Sequence, residues 1–580
     1  MRGFVWGFLI VGLSFAIGCQ TAKPPTTQPV VVRPTPSVQL GKVHEPLPWR
    51  IVSFQKGKAD KNLVKLAADL GFNGVQLQIE GSTLDGIKDL VEREKKEHLI
   101  DYCHSLGMKV TIWVHELSDV PQPYMPEWLG PVTVDNSAIW ELLDKRYEWV
   151  LKEALPNVDG LCLTVVETQI RATDSAVMVK LVGLLQDKCT KYNKELQVRT
   201  FVWYPREFNS VMSAINQLPQ STVIMSKCVP QDWQLRGIDA AEIGAVGKRP
   251  QIEELDIGGE YYLKDRVANG MVDLLKRQFD YGVAHGIKGI CVRVDRDDTN
   301  VLNQPNEVNL WALAYLAGGV SDNTDEIWHD WATNRFGAPA ADGVVKALKT
   351  SGDVVSEMLS MGPFSFGDTR KFPYLGDEDF MGPLHQNWWW DQKYVPLKDK
   401  IERGDLEFTR QMAADKASAI LQADTALDNL KLVKDKLAPQ DYEILHTKLL
   451  TNRVQSGFRA PMALALMDYR RLIYSTDEQE RVEANEQLKK DLAAVRDAGM
   501  KDYKKPKKIE WLGRKWDVNV PEDYNRDQIF YWAYAMDLLR QGIDPRTLKL
   551  GRRTEGWLPA TKFVPVETPT TKSASGNEGD

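Results

Sequence analysis

Short β-branched apolar runs alternate along the chain with longer stretches whose apolar residues recur at helical spacing. The first run, WRIVSFQ from Trp49, precedes KNLVKLAADLG, where the apolar positions share one helical face and Gly71 closes the pattern. Further runs are GVQLQIE from 74, KVTIWVHE from 109, GLCLTVVET from 160, LQVRTFVW from 196, TVIMSKC from 222, IEELDIGGEY from 252 and GICVRVD from 289. Helical patterns lie between them, for example at 91–106, 137–153, 175–192 and 264–285, with a last one at 307–317. Strands alternating with helices imply parallel pairing through right-handed crossovers. Units of this kind over 48–318 predict an α/β fold, a closed (β/α)8 TIM barrel, with a doubly wound open sheet as the alternative.

Beyond 318 the strand signal disappears. Helices are expected at 323–335, 341–359, 405–437, 440–474 and 478–498, so an all-helical C-terminal region spans 319–562. Residues 361–404, punctuated by Gly and Pro, read as a long loop draped on the barrel, with Trp388, Trp389 and Trp390 in packing roles. The run RDAGMKDYKKPKK reads as a solvated face. Residues 20–47 are rich in Pro and Thr and read as an extended tether, and the polar stretch 563–580 as a disordered tail.

The first residues differ in kind. Arg2 precedes an uncharged stretch, GFVWGFLIVGLSFAI, too short to span a bilayer comfortably but long enough for a signal-peptide core. Its ending, Ala16-Ile17-Gly18-Cys19, resembles a bacterial lipobox, which makes Cys19 the expected lipidation site and the membrane an expected partner through a lipid anchor at the cell envelope. The remaining cysteines of the six, Cys103, Cys162, Cys189, Cys228 and Cys291, are odd in number and lack C-x-x-C spacing. No disulfide framework and no thiolate metal site are expected. The eight histidines form no zinc signature, so a metal is not expected. A net charge of -7 offers no basic stripe, which argues against nucleic acid.

In a parallel barrel, chemistry gathers at the C-terminal strand ends. Several acids end apolar runs here: Glu80, Glu116, Glu167, Asp232 just after strand six, and Glu260 at the end of strand seven. Repeated burial of carboxylates around one rim is costly and points to function, although a salt bridge or loop cap explains any single one.

Two segments, KCVPQDWQLR (227–236) and ELDIGGEYY (254–262), resemble the strand-six and strand-seven motifs of family 67 α-glucuronidases. Lys227, Pro230, Asp232, Gln234 and Arg236 fall on that family's K-x-x-P-x-D-x-Q-x-R pattern. Glu260-Tyr261 falls on its Q-E-Y element, with Gly259 replacing the Gln. Arg199 resembles the family's strand-five Arg, and Glu167 occupies the place of its strand-four acid. Arg296-Asp297 and PNEVNLWALAYLAGG resemble the segment that closes the barrel, and DEIWHDWATNRFG resembles the start of the family's helical region. The likeness runs from about 60 to 346 and is strongest from 222 to 317, and the family's N-terminal β-rich domain has no counterpart in it.

The resemblance implies an exo-acting, inverting glycosidase that removes α-linked glucuronic acid or its 4-O-methyl form from xylan-type oligosaccharides, without a cofactor. Such an enzyme needs one protonated carboxyl for the leaving oxygen and one carboxylate for water, roughly 6.5 to 9.5 Å apart. Glu167 is the expected general acid, and Asp232 and Glu260 together hold the water, with either able to take its proton. Arg199 and Lys227 are candidates for a substrate carboxylate, or else they neutralise the acidic rim. Arg296 joins them as a substrate-binding candidate. Trp113, Trp203 and Trp233 lie beside the acids and are placed to stack on a sugar ring or to pack the core. Two other functions stay open: a barrel glycosidase acting on another uronic or neutral glycan, and a non-catalytic surface lipoprotein that binds carbohydrate.

Overall fold

The computed structural model describes residues 44–55, 59–79, 83–116, 132–165, 174–296, 299–366, 381–382, 384–501, 507–511 and 514–518. Cys19, most of the expected tether and the expected C-terminal tail lie outside these residues.

Strands β1 (Trp49–Phe54), β2 (Gly74–Gln78), β3 (Lys109–Val114), β4 (Gly160–Thr164), β5 (Glu195–Thr200), β6 (Val223–Lys227), β7 (Gln251–Asp256) and β8 (Gly289–Arg293) pair in sequence order and close into a barrel. The seam is parallel, with Trp49 opposite Gly289. A Cβ at Gly289 would lie 2.4 Å from the Trp49 Cβ, so the seam admits no side chain there. Every strand residue from β6 to β8 is buried, because a parallel strand is covered on both faces. Alternate residues point inward. Ile51, Trp113, Cys162, Val223, Met225, Ile252 and Cys291 form one small cluster inside the barrel.

Helices α1 (Lys61–Asp69), α2 (Thr83–Glu97), α3 (Leu99–Ser105), α4 (Ser137–Trp149), α5 (Ser175–Lys191), α6 (Pro205–Gln217), α7 (Val272–Ala284) and α8 (Glu307–Gly318) surround it. In α1 and α5 the N-cap side chain itself starts the helix: Asp60 accepts from the Asn62 N–H, and Asp174 accepts from those of Ala176 and Val177. No helix joins β6 to β7; residues 228–250 cross through turns. The run expected as strand seven, ending near Tyr261, stops at Asp256, which leaves Glu260 in the following turn. A short hairpin, β9 (Asp295–Arg296) with β10 (Thr299–Asn300), follows β8.

The C-terminal region holds α9 (Thr324–Phe336), α10 (Ala338–Leu348), α11 (Ser351–Met358), the hairpin β11 (Ser360–Met361) with β12 (Phe364–Ser365), α12 (Asn387–Trp390), α13 (Val395–Arg403), α14 (Leu406–Lys431), α15 (Pro439–Tyr474) and α16 (Glu478–Lys501). A last hairpin pairs β13 (Lys507–Trp511) with β14 (Arg514–Val518). Three expectations change. The single helix expected at 341–359 is two, and the loop expected at 361–404 contains a hairpin and two helices. The region is helical with hairpins added, the last of them, KKIEW with RKWDV, beginning at the final two lysines of the run read as a solvated face. Among the described residues no helix is long and apolar enough to cross a membrane.

Hydrogen-bonded bolts join this region to the barrel. Arg236, after β6, donates to Ser356 Oγ (3.0 Å) and the Gly362 carbonyl (2.7 Å) and pairs with Glu357. Asn452 of α15 donates to the Ala268 carbonyl at 2.7 Å and accepts from its N–H at 3.1 Å. Cys103, Cys162, Cys189, Cys228 and Cys291 are buried free thiols.

Candidate active site

Inward parity decides which strand-end residues meet. Counting from Ile252 places Glu254 and Asp256 inside β7, and counting from Cys291 places Arg293 inside β8. Arg199 on β5 and Lys227 on β6 are buried beside them. Arg199, expected to meet a substrate carboxylate, forks onto Glu254 instead, with Nε 2.5 Å and Nη2 3.2 Å from its oxygens. A fully buried carboxylate in the barrel lumen requires such a partner. Lys227 forms an ion pair with Asp232. Both cations thus lie against acids in the structure.

The loops after β6 and β7 carry the two acids. Asp232 follows Gln231, whose φ of 61° puts the turn in the left-handed region, and its Oδ2 accepts from the Tyr261 hydroxyl at 2.9 Å. Burial alone would raise its pKa, but the Lys227 charge and the hydrogen bonds from Lys227 and Tyr261 hold the carboxyl below its ordinary value. Glu260 is clamped by Arg293 Nη1 at 2.6 Å and Arg296 Nη2 at 2.7 Å. Its N–H donates to Asp256 Oδ2 at 3.0 Å, so the last residue of β7 caps the turn that presents it. Gly259 has φ of 74°, and a Cβ there would lie 3.0 Å from the Lys264 backbone, which accounts for glycine at this position. Tyr261, next to Glu260 and bonded to Asp232, ties the two acid loops together.

Aromatic rings wall this charge cluster. The Arg199 guanidinium lies 4.5 Å from the Trp113 ring centroid and that of Arg293 5.6 Å from it. The Trp113 Nε1 donates to Thr164 Oγ1 at 2.7 Å. Lys227 lies 4.9 Å and Arg293 6.0 Å from the Trp233 ring, which stands between the Asp232 pair and the Glu260 pair. Trp113 and Trp233 are buried with cations at their faces, whereas Trp203 is half-buried at the rim, its N–H held by Glu207 at 2.8 Å.

The structure thus gathers Asp232, Glu260, Arg199, Lys227, Arg296, Trp113 and Trp233 at one mouth, with Trp203 at its edge. Glu167 lies outside the described residues, as does Glu80. Glu116 faces α4, bonded to Arg146 at 2.5 Å and to the Tyr147 hydroxyl at 2.8 Å, and serves packing.

Several contributors escaped notice in the sequence: Asp256, Glu254, Arg293 and two histidines, while Tyr261 was read only as the partner of Glu260 in its motif element. Burial, with Glu260 adding and Arg293 opposing, pushes Asp256 up to about 6. His115, tilted over Trp113 at 5.1 Å, is pushed down to about 3 by burial and then by Arg199, Arg293 and Lys227. His385 comes from the helical region, edge-on to Tyr261 at 6.4 Å. Burial pushes it down to about 4, with Asp232 opposing. Both imidazoles are neutral at pH 7. Strand parity was the available signal for Glu254, Asp256 and Arg293. Nothing local marks His385, which the tertiary fold delivers.

As for metals, Glu94, His98 and Asp101 bring ligand atoms within 4.8 Å of one another at the surface. Glu94 there accepts from the Leu99 and Ile100 N–H groups and so caps α3.

No family model matches the sequence. No curated protein matches it either. Among solved structures, a GH138 enzyme targeting pectin rhamnogalacturonan II is similar with a TM-score of 0.58 at 11% identity, covering 88% of this chain and 70% of that one. A glycoside hydrolase family 5 enzyme from Prevotella bryantii B14 is similar with a TM-score of 0.33 at 12% identity, over 46% of this chain and 87% of that one. A GH20 β-N-acetylhexosaminidase from Streptomyces coelicolor A3(2) follows with 0.31 at 12%, over 48% and 70%. The first likeness is one of fold, and the other two are too slight to carry an argument.

Proposed function

We propose that the barrel is an exo-acting, inverting glycoside hydrolase that releases α-linked glucuronic acid, or its 4-O-methyl form, from xylan-type oligosaccharides. The carrying observation is the pair Asp232 and Glu260, presented by adjacent loops at the C-terminal mouth and joined through Tyr261. A glycan substrate also agrees with the fold, since the GH138 enzyme of similar architecture targets pectin rhamnogalacturonan II.

Glu260 binds a guanidinium at each oxygen, whereas Asp232 meets one ammonium and one neutral hydroxyl. One of the two carboxylates takes the proton of the attacking water while the other orients it. Glu167, the acid that follows β4 in the sequence, protonates the leaving oxygen. With Arg199 and Lys227 committed to acids, the substrate carboxylate falls to Arg296. Its side chain is 24% exposed, and its Nε lacks a hydrogen-bond partner. Cys19 carries the lipid that holds the chain at the envelope, which suits an enzyme working on exported polymers.

One observation favours a second reading. Among the described residues Arg199, Lys227, Arg293 and Arg296 at the mouth already face carboxylates, an arrangement equally suited to a neutral sugar. The test offers uronic and neutral aryl glycosides and oligosaccharides to the wild type and to Glu167→Gln and Asp232→Asn. Uronic acid release should fall about 10³-fold in each variant with folding intact. Proton NMR of the first-formed product should show the inverted anomer. Undiminished turnover by Glu167→Gln removes that residue from the mechanism, and release of neutral sugars alone replaces the uronic specificity.

A further inference from the structure

On the β5 and β6 side of the mouth, two large aromatic rings face solvent. Tyr204 and Trp389 are each 40% exposed, although the adjoining Trp388 is buried and Trp390 half-buried. Their ring centroids lie 5.3 Å apart at 34°. Exposing rings of this size costs hydrophobic free energy, so a fixed pair of them needs a reason.

Neither ring is loosely held. The N–H groups of Trp203 and Tyr204 both donate to Glu207 Oε2, at 2.8 and 3.1 Å, and Pro205 opens α6 directly after Tyr204. On the other side, the Gln386 N–H donates to Gln231 Oε1 at 3.2 Å, and Asn387 Nδ2 donates to the Arg236 carbonyl at 3.1 Å. Gln231 also donates through Nε2 to the Trp203 carbonyl at 3.3 Å. The residue beside Asp232 therefore ties both rings to the acid loop. Behind them Phe208 and Trp390 meet edge to face at 6.4 Å, and Arg206 stands 4.8 Å from the Tyr204 ring.

A pyranose offers a C–H face that packs on an aromatic ring while its hydroxyls stay hydrated, and rigid aromatics lose little entropy when they bind. We infer that Tyr204 and Trp389 form a stacking platform for the glycan beyond the scissile bond, with Arg206 reaching its hydroxyls. The inference rests on the exo-hydrolase reading, in which one terminal sugar fills the mouth and the remaining chain leaves over the rim. Continuity with the Asp232 loop through Gln231 is what assigns this surface to the same ligand.

The test uses the full chain with Tyr204→Ala, Trp389→Ala and the conservative Trp389→Phe. In affinity gels containing glucuronoxylan or pectin, each alanine variant should bind about fivefold more weakly, and Trp389→Phe should retain most binding. The kcat/KM for long oligosaccharides should fall by a similar factor, while turnover of an aryl uronide stays within about twofold of the wild type. Equal retardation of variants and wild type, or no retardation of the wild type by any polymer tried, overturns the platform. So does an equal loss on the aryl uronide, which would make the pair structural. Polymer binding that depends on Trp389 in a chain that hydrolyses nothing keeps the platform and ends the hydrolase reading instead.

Discussion

Lys227 at the barrel mouth and Lys416 in α14 are both buried ammonium groups facing a carboxylate, yet their surroundings differ. Lys416 donates to the Glu357 carbonyl at 2.8 Å, the Ser360 carbonyl at 2.9 Å and Glu357 Oε1 at 3.3 Å. Three donors meet three acceptors, and the group acts as a bolt between α14 and the junction of α11 with β11. Lys227 meets Asp232 and, at 3.4 Å, the Gln231 carbonyl, while the rings of Phe201 and Trp233 stand 3.8 and 4.9 Å away. Its charge is aimed at a carboxylate on a loop above the strand ends. Buried charge in the helical region thus holds helices together. At the mouth it holds Asp232 in position and in its ionised form.

The strongest test of that contrast is Lys416→Met. Removing one partner of a buried pair costs about 3–5 kcal/mol, so urea unfolding should show a loss of that order while turnover per folded molecule stays unchanged. A loss of activity larger than the loss of folded protein would erase the division between the two regions.

A smaller effect is expected from Asp256→Asn. The folded carboxyl titrates at about 6, above the ordinary value of 3.8, because burial disfavours its charge. Between these pH values the unfolded chain has released a proton that the folded chain keeps. The contribution of Asp256 to stability is therefore complete at the acid end and is lost as pH rises through about 6. The variant should flatten this slope by on the order of 2 kcal/mol in denaturant curves run between pH 4 and 7. Asp295 and Asp265, raised by burial to about 7, remain as background. Parallel curves for wild type and variant would show that Asp256 does not titrate in this window.

The smallest change is expected from Arg296→Ala. Glu260 keeps Arg293, and Arg296 is partly exposed, so stability should move by less than about 1 kcal/mol. If this residue receives the substrate carboxylate, KM for a uronic substrate rises about tenfold with little change in kcat. An unchanged KM would favour the neutral-sugar reading.

Much of the fold was legible because its signals are local. Parallel strands buried on both faces read as apolar runs, and GICVRVD or TVIMSKC needs no knowledge of its neighbours. The long helices α14, α15 and α16 likewise follow from periodicity. The end of β7 was not legible, because IEELDIGGEY stays apolar past Asp256 while the chain turns at Gly258 and Gly259. Within the site, Asp232 and Glu260 were visible as strand-end acids and motif positions. The commitment of Arg199 to Glu254 was not, nor was the arrival of His385 from a region read as a loop.

Local patterning by itself determined the barrel, the succession of helices after it and two acids of the mouth, Asp232 and Glu260, since each depends on residues within a few positions of one another. Only tertiary structure decided which cation answers which acid and which tryptophans remain exposed. Barrel closure brings residues such as Arg199 and Glu254 within hydrogen-bond distance although they are far apart in the chain. The free energy of a buried charge depends on those neighbours in space and not on its position in the sequence.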